Sequence, residues 1–260
     1  MELKLLNISY KNIYNNINLT IKDNKITGVY NSNLLNLLFY SKKTYTGNIL
    51  LNNSDILSFN ENVFTYITNK PCFYTKTVKD EFYLMKRKIK LNNKNYLTKI
   101  DSILTLVGLD SNYLLKEINT LSTSEKYLLN LALNLIIDPD LIIIELLNGL
   151  DKNIQFKLKN IILELKKKYK KTIIIITNNI DILYDLVDDL IIFKDNKVVI
   201  NDKLDIVFKN LDLLKDLELP NLIKFTNIAS TYNKNIKYYK DIKDLIKEVY
   251  KNVQETNNQT

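Results

Sequence analysis

Histidine is absent from this 260-residue chain, and cysteine occurs once, at Cys72. Without an imidazole there is no His-based acid–base catalysis, no Ser–His or Cys–His nucleophile and no His-ligated metal. A single cysteine excludes an internal disulfide and any multi-cysteine metal site. Glycine (4) and proline (3) are scarce, so turns must be read from clusters of asparagine, aspartate and serine. Long apolar runs are missing too: none approaches the roughly 18 residues that cross a bilayer. The opening MELKLLNISY lacks the charged n-region and cleavage site of a signal peptide. These absences lead us to expect a protein that stays inside the cell.

What is present is ordinary for a folded domain: 46% hydrophobic and 25% charged residues, enough for one large or two small domains. The net charge of +8 raises nucleic acid or an anionic membrane as partners. Lysine, however, accompanies Asn, Ile, Leu and Tyr along the whole chain, as an AT-rich genome would produce, and we expect no nucleic-acid partner.

The pattern predicts strands over Leu3–Tyr10, Ile17–Ile21, Lys25–Tyr30 and Asn48–Asn52, with a turn at Asn53–Asp55. Between the last two strands, Leu34–Tyr40 reads as a helix with Ser32 or Asn33 as its cap. Apolar residues at threes and fours predict helices through Phe82–Lys90, Ile100–Val107 and Glu125–Ile136. Two apolar strands, Leu141–Glu145 and Thr172–Thr177, flank an amphipathic helix over Asn153–Tyr169, a βαβ unit whose strands should be parallel and buried on both faces. A helix at Ile180–Leu186 and strands at Leu190–Phe193 and Lys197–Ile200 complete the sheet region. Short helices follow at Leu204–Asn210, Leu211–Leu217, Asn221–Phe225 and Asp241–Asn252, before a frayed tail at 253–260.

Several segments then occur in a telling order. Gly47 lies in YTGNILLN (Tyr45–Asn52), which resembles the "SGxIxxxG" strand that follows the phosphate loop of ABC ATPases. Thr77–Glu81 resembles the "TVxxE" that opens their helical subdomain, and Leu121–Tyr127 (LSTSEKY) stands where the "LSGGQ" signature belongs. Asp138–Asp140 introduces a Walker B-like strand, Asn148–Asp151 (NGLD) is similar to the D-loop, and Thr177–Asn179 takes the place of the "THD" switch. The series is collinear from residue 2 to about 202, and Val207–Ile246 resembles the C-terminal region of energy-coupling-factor (ECF) transporter ATPase subunits. The resemblance implies an α/β fold: an ABC-type nucleotide-binding domain over 1–202, with a P-loop NTPase-like parallel sheet, an antiparallel β subdomain and a helical subdomain near 78–135. A small helical C-terminal region over 203–252 follows.

The resemblance also implies ATP with magnesium as cofactor, and the chain departs from the family at each contact. A P-loop needs glycines to wrap phosphates, a lysine for the β/γ oxygens and a Ser/Thr for magnesium. Here only Asn31, Ser32 and Asn33 separate the strand ending at Tyr30 from the helix, and the nearest lysines, Lys42 and Lys43, lie at that helix's far end. Walker B retains one carboxylate, Glu145, which is read either as a remnant of the catalytic pair or as a solvent-facing strand end. Asn178 replaces the switch histidine and Asn69 the Q-loop glutamine. Tyr10 holds the position of the adenine-stacking aromatic, or is one incidental tyrosine among 17. In the signature, Ser122 is kept but Thr123 and Ser124 replace glycines. Ser122 and Glu125 read as a capping box, and aid to a partner's ATP stands as the alternative. Asp151 reads equally as a dimer contact and as a helix cap. No metal site of the chain's own is expected.

The expectation is therefore a cassette subunit of an ECF-type importer, cytoplasmic and peripheral on the membrane, whose own site does not hydrolyse ATP. It would pair with a second ABC ATPase subunit as a hetero- or homodimer, beneath a transmembrane T component and a substrate-binding S component. The alternatives are an ABC-fold scaffold or regulatory protein without a transport role, and a divergent but active ATPase.

Overall fold

The computed structural model describes the chain except residues 12, 33–44, 60–61, 90–91, 147–150, 210–218, 233–241 and 258–260. The expected helices at Leu34–Tyr40 and Leu211–Leu217 lie outside the described residues. The first strands are β1 (Leu3–Tyr10), β2 (Tyr14–Ile21), β3 (Ile26–Tyr30), β4 (Tyr45–Leu51) and the two-residue β5 (Ser54–Asp55). After them come β6 (Phe64–Ile67), β7 (Leu141–Glu145), β8 (Thr172–Thr177), β9 (Asp189–Lys194) and β10 (Lys197–Lys203). They form two sheets. One is antiparallel in the order β2-β1-β4-β5; the other runs β10-β9-β3-β8-β7-β6 and is parallel except for the edge strand β10.

Strict side-chain alternation along the parallel strands divides the core. Ile143, Ile174, Ile176, Ile191 and Phe193 face the antiparallel sheet, where they meet Leu3, Leu5, Ile17, Leu19 and Ile49. Ile142, Ile144, Ile173, Ile175, Leu190 and Ile192 face the helices on the other side. Both faces are covered, which is why these strands read as unbroken isoleucine runs rather than as alternation. Each such isoleucine contributes about 1.5–3 kcal/mol of burial.

With glycine scarce, other residues take the tight turns. Among the described residues eleven non-glycines have positive φ, and seven are asparagines: Asn7, Asn16, Asn24, Asn31, Asn52, Asn53 and Asn196. Asparagine's short amide tolerates the left-handed region better than any other chiral residue of its size.

The helices are α1 (Val78–Met85), α2 (Asn93–Val107), α3 (Thr123–Leu135), α4 (Lys152–Lys167) and α5 (Ile180–Tyr184), followed by α6 (Leu204–Lys209), α7 (Asn221–Tyr232) and α8 (Ile242–Asn257). Their starts follow their caps. Thr77 accepts from the Asp80 amide and so begins α1 four residues before the expected Phe82; the chain then leaves α-geometry at Met85 for a 3-10 turn at Lys86–Lys88. Asp151 likewise accepts from the Ile154 amide and starts α4 at Lys152 rather than Asn153. Strand β6 was not expected from the pattern, although its Phe-Thr-Tyr-Ile sequence consists of strand-favouring residues. No helix among the described residues is long and apolar enough to cross a membrane.

Candidate functional site

Strands β3, β7 and β8 end at one rim. Tyr30 is paired with Thr177, and Ile176 with Glu145, so the three carboxyl ends abut. Beyond them lies a cavity of about 380 Å³, bounded by Asn31 and Ser32 after β3, Asn69 after β6, and Glu145 and Leu146 at the end of β7. Ile176, Thr177 and Asn178 at the end of β8 and the Asp195–Asn196 turn of the β9–β10 hairpin close it. The crevice outside the carboxyl ends of parallel strands is where open α/β sheets place ligands.

Amides and hydroxyls make up most of its lining, with Leu146 and Ile176 as apolar members. Glu145 and Asp195 are the carboxylates, and no lysine or arginine is found among the described lining residues. Glu145 is held at both oxygens: Tyr66 Oη donates to one at 2.6 Å and Asn69 Nδ2 to the other at 2.8 Å. Its backbone carbonyl accepts from Tyr127 Oη at 3.0 Å. Tyr127 comes from α3 and is fully buried; that burial, then the neighbouring Glu145 and Tyr66, push its phenol well above the usual tyrosine range. It therefore stays a neutral donor. Asn31 sits in the left-handed region with φ 56° and reaches the Phe193 carbonyl at 3.4 Å, while Ser32 Oγ lies 3.0 Å from Tyr14 Oη.

The segment leaving the cavity at Asn69 is fastened to α1 by Glu81. This carboxylate, 6% exposed, accepts from the Tyr74 amide at 3.1 Å, the Thr75 amide at 2.9 Å and the Thr75 hydroxyl at 2.8 Å. Such charge-assisted bonds satisfy a buried carboxylate without a cation.

Of the residues singled out in the sequence, Asn31, Ser32, Asn69, Glu145 and Asn178 come together around this one cavity. Asn33 lies outside the described residues. Tyr10 is 4% exposed and packs in the core between the two sheets. Ser122 and Glu125 are elsewhere, at the start of α3, where they form the expected reciprocal capping box. Asp151 caps α4 through the Ile154 amide at 3.0 Å. Tyr66 and Tyr127 escaped the sequence reading as site residues, and the Asp195–Asn196 turn, expected between the last two strands, was not expected to line a cavity. With 17 tyrosines in the chain, nothing local marks the two that fix Glu145.

Glu125 carries an electrostatic load besides its capping role. The Tyr113 hydroxyl, then the Ser122 amide and hydroxyl, lower its pKa to about 2. A depressed carboxylate pKa stabilises the fold above the ordinary value of 4.5, and that stabilisation drains away as pH falls from there toward 2. Replacing Glu125 with glutamine is thus expected to cost ~1 kcal/mol near neutral pH. The gap to wild type should close in urea titrations repeated below pH 4.5. A gap independent of pH would refute the electrostatic account.

Among solved structures, cbiO1 of Clostridium perfringens, part of the ABC transporter complex cbiONQ, superposes with a TM-score of 0.71 at 21% identity, covering 86% of this chain and 98% of that one. The fold is that of the ABC ATPases. No protein-family model matches the chain. Sequence relatives include a probable ABC transporter ATP-binding protein, p29, of Mesomycoplasma hyorhinis, 24% identical over 249 residues (80% of this chain, 97% of p29). Another is the energy-coupling factor transporter ATP-binding protein EcfA2 of Mesomycoplasma hyopneumoniae, 32% identical over 169 residues. That match takes in 64% of this chain and 56% of the relative's length. The curated relatives named here are thus ATP-binding proteins of ABC transporters, one of them ECF-type at modest identity.

Proposed function

We propose that the chain is a cassette subunit of an ECF-type importer that does not hydrolyse ATP in its own site. In this reading it pairs with a second ABC ATPase subunit and transmits that subunit's ATP-driven closure to a transmembrane component. It works on the cytoplasmic face of the membrane, and substrate choice rests with other polypeptides. The relatives support the ABC ATP-binding part of this reading. The loss of hydrolysis rests on the state of Glu145.

One observation carries that step. Both Glu145 oxygens are already engaged by neutral donors, Tyr66 and Asn69. Each oxygen keeps a second acceptor site, but the two donors pin the carboxylate to β6 and the Asn69 segment and leave it no freedom to turn towards an attacking water. The remaining lining fits a triphosphate with its magnesium poorly. Among the described residues no lysine or arginine faces the cavity, and no group of three metal-binding side chains occurs. Asn178 can donate and accept hydrogen bonds but cannot carry a proton at neutral pH.

The test is ATP turnover by the purified chain, beside Glu145→Gln. We expect phosphate release at the protein-free blank for both. Turnover above blank that the substitution abolishes would establish the divergent-ATPase alternative instead. Gentle detergent extraction from native cells tests the assembly: a P-loop-intact ABC subunit together with an integral membrane protein should copurify. Soluble partners alone would count against a transport role.

A further inference from the structure

Lysine occurs throughout the chain, and positive charge gathers in two stretches. Residues 76–99 carry eight cationic side chains and two carboxylates, and residues 152–171 eight lysines and one glutamate, but in the latter Lys159, Lys166, Lys168 and Lys171 are ion-paired. From Lys86 to Lys99 there are six cations and no acid. Of the two carboxylates, Glu81 is buried and committed to the Tyr74–Thr75 segment, and Asp80 accepts from the Thr77 hydroxyl at 2.6 Å. Setting aside Lys90, which lies outside the described residues, and Lys76, which precedes α1 and pairs with Glu117 at 2.6 Å, the cations fall on α1, the 3-10 turn after it, and the first turns of α2.

These elements form one corner of the molecule. The Tyr83 and Tyr96 rings meet edge-on at 6.3 Å, and Tyr96 Oη donates to the Phe82 carbonyl. Lys86 Nζ lies 6.0 Å from one ring and 5.9 Å from the other, and donates to Asn93 Oδ1. The end of α1 is thereby clasped to the start of α2, with Arg87, Lys88 and Lys94 exposed around the junction. No described carboxylate is ion-paired with Lys79, Lys86, Arg87, Lys94 or Lys99, whereas Lys25, Lys159, Lys166 and Lys171 elsewhere all have acidic partners. Interleaved with the cations are exposed apolar side chains: Tyr83 (38%), Leu84 (37%) and Leu97 (40%).

We propose that this corner is a docking surface for an anionic lipid bilayer. Cations with nothing to neutralise them repel one another and gain most beside a surface of opposite charge. The leucines decide which surface. Against a nucleic-acid backbone Leu84 and Leu97 gain nothing, and of the two aromatic rings only Tyr83 is exposed for base stacking, Tyr96 being 1% exposed. At a bilayer, lysine and arginine heads meet anionic headgroups while leucine and tyrosine enter the acyl boundary. The surface is independent of the ATP-site cavity and stands whether or not the chain hydrolyses ATP.

The experiment is cosedimentation of the full chain with phosphatidylcholine vesicles, with and without phosphatidylglycerol. Binding is expected only to the anionic vesicles and should weaken as salt rises. Each headgroup-facing cation is worth roughly fivefold, so the Lys79→Gln/Arg87→Gln/Lys94→Gln variant, which leaves the Lys86 clasp intact, should bind about a hundredfold more weakly. Removing three exposed lysines elsewhere, in Lys167→Gln/Lys170→Gln/Lys197→Gln, should leave binding within about threefold, because only local charge within a Debye length counts. Leu97→Asn should weaken binding severalfold with every charge kept. All substitutions are partly or fully exposed, so thermal melts should match wild type. Equal losses in the two triple variants would reduce the effect to net charge and overturn the proposal. Retention on single-stranded RNA without vesicle binding would overturn it in favour of a nucleic-acid contact.

Discussion

Replacing Tyr127 with alanine is expected to lower the unfolding free energy by about 4 kcal/mol, the cost of deleting a large buried aromatic. Tyr127 is among the largest fully buried side chains of the protein. It sits in the helix-facing core cluster alongside Phe82, Leu131 and Ile144. Its hydroxyl also ends on the Glu145 carbonyl at 3.0 Å, so truncation removes the packing and strips that carbonyl of its donor. Tyr127→Phe separates the two effects: the volume stays, the hydrogen bond goes, and ~1–2 kcal/mol should be lost. Urea unfolding of the three proteins measures both. A loss under about 1 kcal/mol for the alanine variant would mean that α3 collapses onto the end of β7, contrary to the rigid packing expected of such a core. The phenylalanine variant bears on the site as well. Tyr127 joins α3, the helix that begins at the signature-like segment, to the strand end that carries Glu145.

How much of this was legible beforehand depends on what each feature needs. The parallel strands were plain because doubly covered strands need long β-branched runs, and Leu141–Glu145 and Thr172–Thr177 supply them between two turns. Capping was plain too, since Ser122 and Glu125 lie three apart and act on each other. The cavity was legible only in part. Asn31, Ser32, Asn69, Glu145 and Asn178 were found through their order along the chain, not through any local signature. Glu145 had been weighed as a remnant acid or a solvent-facing strand end; it lines the cavity, with both oxygens accepting hydrogen bonds from Tyr66 and Asn69. Its Tyr66 bond crosses 79 residues of sequence and its Asn69 bond 76, and no spacing rule reports such contacts. The unpaired charge of 76–99 was missed for another reason: counting lysines along the chain shows them everywhere, and only the ion pairs of the fold set this stretch apart from the equally lysine-rich 152–171.

Gly47 shows where scarcity of glycine ends. Elsewhere this chain places asparagine at left-handed positions, with φ between 49° and 64° at Asn7, Asn16, Asn24, Asn31, Asn52, Asn53 and Asn196. Gly47 differs in φ, at 92°, and in its surroundings: an added Cβ would lie 2.5 Å from the carbonyl oxygens of both Leu6 and Asn7. Those atoms belong to the backbone of β1, where the pairing with β4 shifts register between Leu6 and Ser9. The clash cannot be relieved by turning a side chain. Gly47→Ala should therefore cost about 3 kcal/mol, combining a forbidden backbone angle with disruption of the β1–β4 ladder. Gly108 provides the contrast. It caps α2 with φ 70°, and the only close atoms its Cβ would meet belong to the flexible end of Lys157. Gly108→Ala should cost ~1–2 kcal/mol from the left-handed backbone alone, and Gly108→Asn less. Asparagine at position 47 should rescue nothing, because the steric conflict begins at Cβ. Thermal melts of these four variants decide the matter. Should Gly47→Asn prove as mild as Gly108→Asn, the β1 bulge yields to the added atom, and glycine at 47 is not required by the backbone.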